Sequence, residues 1–276
     1  MRIGARIHDI FQADTDDFSD KLKASDIPCV QLTLGSFFKD YDFVGGAFSD
    51  VKALNVKNGL IEAGVCPSVL SCYINPINPN GIESEIQLFK KFVDYAEKIG
   101  VNIIGTETGT MVNDFENDFS ANHTSEVFDS LVSNMKEAVQ YAQQKGIRVG
   151  IECVSYFPIH SAESIQRFID LIDLPNVCAI FDPVNLLNIT NYNEQDSMIL
   201  NFMEKMHNKI CVVHLKDFVV SNGKILHVPL FEGDFHIEKF IELLKQYNVN
   251  CDIILENTNM ENYYPIKQKL EKILSK

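Results

Sequence analysis

RVGIECVSYFPIHSAESIQRFIDLIDLPNVCAIFD, residues 148 to 182, reads as strand, helix, strand. The runs RVGIEC (148–153) and VCAIFD (177–182) are short and apolar, and between them Ser161 with Ser164 offers capping for a helix. Strands joined through a helix lie parallel, and continuous apolar runs mark a sheet buried on both faces.

The same alternation extends from end to end. Further strand runs are RIGARIH (2–8), CVQLTL (29–34), VCPSVLSC (65–72), NIIGTE (102–107), ICVVHL (210–215) and CDIILE (251–256), which makes eight. Between them, apolar residues recur at helical spacing, as in Ile86, Phe89, Phe92, Val93 and Ala96, and again in Val127, Leu131, Met135, Ala138 and Ala142. Gly100 and Gly146 follow helical runs where a left-handed residue ends a helix. Eight strand–helix units in 276 residues predict an α/β fold, a single (β/α)8 TIM barrel over residues 1–276. The open doubly wound sheet is the alternative, but no G-x-G-x-x-G or Walker sequence accompanies it.

Composition narrows the function. A net charge of −14 without a Lys/Arg cluster disfavours nucleic acid and anionic membranes as partners. The start MRIGARIHDIFQ has no apolar core, and no later stretch approaches the ~18 apolar residues of a membrane span. A cytoplasmic location is expected. Seven cysteines, an odd number without a C-x-x-C pair, read as reduced thiols in the core.

In a barrel the C-terminal strand ends meet at one mouth, where the active site is built. The terminal residues are His8, Thr33, Cys72, Glu107, Glu152, Asp182, His214 and Glu256. One carboxylate there is more often a cap or a loop charge, but Glu152, Asp182, His214 and Glu256 come from successive strands five to eight. One divalent cation could bridge them. Oxygen donors with one imidazole suit Mn²⁺, Mg²⁺ or Co²⁺, and Zn²⁺ less well.

The stretches GIEC at Glu152, FDPVN at Asp182, VHLKD at His214 and ILEN at Glu256 resemble the xylose-isomerase-like barrel superfamily, the sugar phosphate isomerase/epimerase group. HVPLFEGDF (227–235) resembles that group's loop after strand seven. The resemblance implies that Glu152, Asp182, His214 and Glu256 bind one divalent metal, that Glu152 and Glu256 also act as acid and base, and that the substrate is a small carbohydrate. It places Lys216 and Asp217 beside the ligands or against substrate. Asn185 stands where ketose 3-epimerases have histidine, His227 where many relatives have a substrate-contacting arginine, and Phe231 where they have a turn glycine.

The expectation is a divalent-metal-dependent sugar or sugar phosphate isomerase/epimerase, working by proton transfer through a metal-stabilised enediolate. A dehydratase of the inosose dehydratase kind and a non-catalytic sugar-binding barrel are the alternatives, and endonuclease IV chemistry fits poorly because its extra histidines are mostly missing. Substrate contacts are expected from His8, Glu107, Asn185, Lys216, Asp217 and His227, with Gly105 and Gly109 letting a ligand approach the backbone. The aromatic loop SFFKDYDFVGG (36–46) reads as a lid, a hydrophobic plug or a dimer contact. The outer helix faces could support a homo-oligomer.

Overall fold

A computed structural model describes residues 1–14, 16–39, 48–112 and 119–276. The strands are β1 (Ile3–Arg6), β2 (Cys29–Leu32), β3 (Cys66–Ser71), β4 (Ile103–Thr106), β5 (Arg148–Glu152), β6 (Val177–Phe181), β7 (Ile210–Leu215), β8 (Asp217–Ser221), β9 (Lys224–Val228) and β10 (Asp252–Leu255). Eight of them pair in parallel and close into a barrel in the order β1, β2, β3, β4, β5, β6, β7, β10. All eight predicted runs are therefore barrel strands. Each has one face under helices and one inside the barrel, so a two-residue period decides what looks where.

On β5, Val149 and Ile151 pack outward among the helices, while Gly150 faces inward. The interior layer is Cys29, Val69, Cys178, Ile180, Cys211, Val212 and Ile254. Gly105 and Gly150 fit it because a Cβ at Gly105 would lie 2.7 Å from Ile180 Cδ1, and one at Gly150 2.8 Å from Ile180 Cγ1. The expectation that Gly105 opens the backbone to a ligand is thus replaced by a packing role. Gly109 has φ +69, and a Cβ there would meet Asn75 Oδ1 at 2.1 Å, so it serves a turn.

Helix ends follow the local signals. Ser161 and Ser164 form a reciprocal capping box on the helix Ala162–Ile172, and Gly100 ends Ile82–Ile99 in the left-handed conformation. The buried side of Ile82–Ile99 carries Ile86, Phe89, Phe92, Val93 and Ala96. Each fully buried Ile, Phe or Val side chain contributes roughly 1.5–3 kcal/mol. All seven cysteines are free thiols. At the N-terminal floor, Arg2 makes two 2.8 Å bonds to Asp252, which also accepts from Ser68 Oγ at 2.7 Å.

The antiparallel hairpin β8–β9 was not anticipated. Its turn is Asn222–Gly223, with φ of 52° and 74°, the two positive values a tight primed turn requires. Phe37 and Phe38 are buried and stack edge-on at 4.6 Å, with Phe11 and Phe18 packed against Phe37 at 5.5 Å. This part of the aromatic loop is a plug, while Tyr41 and Phe43 lie outside the described residues. No helix among the described residues is long and apolar enough to cross a membrane.

Candidate metal centre

The inward positions that follow Gly150, Ile180, Val212 and Ile254 by two residues are Glu152, Asp182, His214 and Glu256. One donor atom from each lies within 4.8 Å of the others. These four residues are 2%, 1%, 0% and 4% exposed, a depth at which charged groups need partners.

Each carboxylate is held by neighbours. Asn185 Nδ2 donates to Glu152 Oε1 at 2.7 Å. Asp182 Oδ1 accepts from the backbone N–H groups of Val184 and Asn185, at 2.9 and 3.1 Å, so the turn after β6 fixes its plane. Its Oδ2 accepts from Lys216 Nζ at 2.5 Å, and the same ammonium donates to Glu256 Oε2 at 2.8 Å. Arg6 Nη1 lies 3.5 Å from Glu256 Oε1.

His214 Nδ1 stands 3.4 Å from Glu152 Oε1 and 3.3 Å from Glu256 Oε1, while its Nε2 is buried without a hydrogen-bond partner among the described residues. Such distances are long for hydrogen bonds. They match the edges of a coordination shell: donors ~2.1 Å from a common ion lie roughly 3.0–3.4 Å apart. Three carboxylates, an imidazole and that spacing fit one divalent cation.

Electrostatics separates the carboxyl groups. Burial pushes Glu256 up, but Lys216, His214 and Arg6 outweigh it and hold the carboxyl below its ordinary range. Burial raises Asp182, and Lys216 only partly offsets this against Glu256 and Glu152. Glu107, just past β4, is pushed up to about 8 by burial and by Glu152, with Glu256 adding to the effect. Burial lowers His214, but Glu152, Glu256 and Asp182 overcome it and raise the imidazole.

The remaining predicted residues divide. His8 lies on a one-turn helix, Ile7–Ile10, with Nε2 3.7 Å from Asp9 Oδ1. Burial and Arg6 lower its pKa. Lys216 and Asn185 join the centre through the bonds above. Asp217 does not: its oxygens accept from the backbone N–H groups of Phe218, Phe231 and Phe235, at 2.8, 3.0 and 2.8 Å, and so fold the stretch after β9. His227 sits exposed on β9, beside a cleft lined by Tyr156, Leu187, Ile189 and Leu226.

Sequence reading missed the wall opposite the carboxylates. Gln31, 1% exposed, donates from Nε2 to Ser71 Oγ at 2.7 Å and to Tyr73 OH at 2.9 Å, and its Oε1 is buried without a partner among the described residues. Two steps from inward-facing Cys29 would have marked Gln31. The rim beyond Glu107 and Glu152 is also tied together. Asn122 donates to Thr110 Oγ1 at 2.8 Å and to the Tyr156 carbonyl at 2.9 Å, and the His123 and His160 rings stack at 3.8 Å.

Comparison with known proteins agrees with this architecture. The sequence pattern of the family described as xylose isomerase-like TIM barrel matches residues 19–274. An uncharacterized protein of Methanocaldococcus jannaschii is 26% identical over 158 residues, which span 56% of this chain and 52% of that protein, about half its length. A crystal structure of a D-tagatose 3-epimerase-like protein superposes with a TM-score of 0.79 at 18% identity, covering 100% of this chain and 97% of the other. A xylose isomerase-like TIM barrel protein from Mycobacterium smegmatis in complex with magnesium gives 0.70 at 16% identity, covering 99% and 97%.

Proposed function

The chain belongs to the xylose isomerase-like TIM barrel family, and from that premise we propose that it is a divalent-metal-dependent isomerase or epimerase acting on a small sugar. The observation that carries this reading is the convergence of Glu152, Asp182, His214 and Glu256 within 4.8 Å at the barrel mouth. Those four residues would hold the ion, with Mn²⁺, Mg²⁺ or Co²⁺ suited to the oxygen-rich donors and Zn²⁺ less so. When bound, such an ion would polarise a carbonyl and its neighbouring hydroxyl, easing loss of the proton on the hydroxyl-bearing carbon beside the carbonyl.

Glu152 and Glu256 are the proton-transfer groups. Glu256, a carboxylate beside the site of the ion, is the base. Asn185 sets the direction of the Glu152 carboxylate. β5 and β10 are separated in the barrel by β6 and β7, so a sugar lying between the two carboxylates meets them on different sides. Return of the proton to the same carbon from the opposite face inverts it; delivery to the neighbouring, former carbonyl carbon, with the hydroxyl proton passing to the other oxygen, isomerises the sugar. The Gln31, Ser71 and Tyr73 wall offers neutral hydrogen-bonding groups to hydroxyls, and His8 adds an imidazole to the same rim.

Glu107 favours a second reading. A carboxyl pushed up to about 8 keeps its proton at neutral pH and could donate it to a departing hydroxyl, as a dehydratase requires.

Incubation with Mn²⁺ and a panel of ketohexoses, pentuloses and inososes in D₂O, read by NMR, tests both. Deuterium at one carbon with an inverted or isomerised product, lost in Glu256→Gln, is expected. Water loss with a new enone-type absorbance would select the dehydratase reading. No exchange from any sugar with Mn²⁺, Co²⁺ or Mg²⁺ would sink catalysis and leave a binding barrel.

A further inference from the structure

Three carboxylates within 4.8 Å of an imidazole cannot all stay ionised and buried without a positive charge among them. That charge is present in the chain itself. Lys216 follows His214 by two residues, so it turns to the same inner face, and the residue is 2% exposed. It lies 2.5 Å from Asp182 Oδ2 and 2.8 Å from Glu256 Oε2, bridging two of the four candidate ligands. Asp182 has no other oxygen to offer, because Oδ1 is taken by the backbone N–H groups of Val184 and Asn185. Arg6 cannot replace it, being shared with Asp9 at 2.9 Å and reaching Glu256 only at 3.5 Å.

We infer that Lys216 is the built-in counter-cation of this centre: it neutralises Asp182 and Glu256 when no metal is present, and a divalent ion must displace it from them. The inference rests on the metal-centre reading above and adds what sets its affinity. An ammonium and a divalent ion seek the same lone pairs, so each weakens the other. Lys216 is thus a positioning residue for the two acids, and its flexible stem gives the displaced ammonium a path toward the mouth. The arrangement keeps the empty barrel folded and makes metal loading reversible.

The test uses Mn²⁺ alone as probe, with calorimetry and thermal melting of the full chain. Lys216→Met removes the charge and keeps the length. It is expected to bind Mn²⁺ at least 10-fold tighter than wild type, to melt lower in EDTA, and to recover on adding Mn²⁺. A gain in affinity is not something a damaged scaffold produces. Because the variant could fail to fold, the wild type is also acylated with acetic anhydride and mapped by mass spectrometry. Lys216 should be labelled faster with Mn²⁺ than in EDTA. Mn²⁺ binding that is unchanged or weaker in Lys216→Met, or labelling that Mn²⁺ leaves unchanged or slows, overturns the inference while leaving the metal centre standing. No Mn²⁺ binding by either protein removes both.

Discussion

Asn185 Nδ2 holds Glu152 Oε1 at 2.7 Å, so a residue on the turn after β6 aims the carboxylate that ends β5. The same residue's backbone N–H binds Asp182 Oδ1 at 3.1 Å, and two candidate ligands from neighbouring strands share one support. Groups that orient a ligand in this way typically contribute 10–100-fold to metal affinity or activity.

Asn185→Ala should therefore weaken Mn²⁺ binding by about 10-fold or more with little change in melting temperature. Calorimetric titration against wild type measures it. An unaltered affinity would mean Glu152 is aimed by something else.

Phe231 occupies the left-handed region at φ 74, which favours glycine, and its ring lies 4.0 Å from Lys269 Nζ. A non-glycine residue there costs roughly 1–2 kcal/mol. Phe231→Ala keeps that strain and discards the ring, whereas Phe231→Gly discards both. The glycine variant should be the more stable of the two by about 1 kcal/mol in urea denaturation.

Gly105 and Gly150 fit against Ile180 inside the barrel. Gly150→Val would force Ile180 aside in a layer without spare room, at a cost of about 1–3 kcal/mol. Pairing it with Ile180→Ala should restore part of the loss, and a double-mutant cycle reads the recovery. Additive losses would contradict the contact.

His123 is pushed down to about 4 by burial, with His160 stacked at 3.8 Å adding to the shift. Unfolded, its imidazole titrates near ~6.5. Between these values the unfolded chain takes up a proton that the folded chain refuses, so stability falls as pH drops from roughly 6.5 toward 4. His123→Phe should flatten that slope by about 1 kcal/mol, a figure discounted for the ring's partial exposure. Melting curves at pH 4.5 and 7 in both proteins provide the comparison.

The barrel and the convergence of Glu152, Asp182, His214 and Glu256 were legible because both depend on one short-range rule: apolar strands alternate inward and outward, and their last inward residues meet. The same rule, applied one residue further, separates Lys216 from Asp217, which proximity in sequence had grouped. Lys216 turns in to the carboxylates, and Asp217 turns away to fold the stretch holding Phe231 and Phe235. The β8–β9 hairpin was written in Asn222–Gly223, a pair of residues that accepts the two positive φ values of a tight turn. The bridge from Lys216 to Asp182 and Glu256 was not legible: it joins residues 34 and 40 positions apart, and depends on how far a flexible side chain reaches.

At the other end, Arg2, Asp252 and Ser68 close the floor beneath a packed interior layer. Glu152 and Glu256, two residues beyond that layer, are therefore approached from the mouth alone. Under the proposed function an ion and a sugar would share one doorway, so whichever entered last would have to leave first. An ion seated beneath a sugar would stay until the sugar departed, and exchange of the two would run in single file.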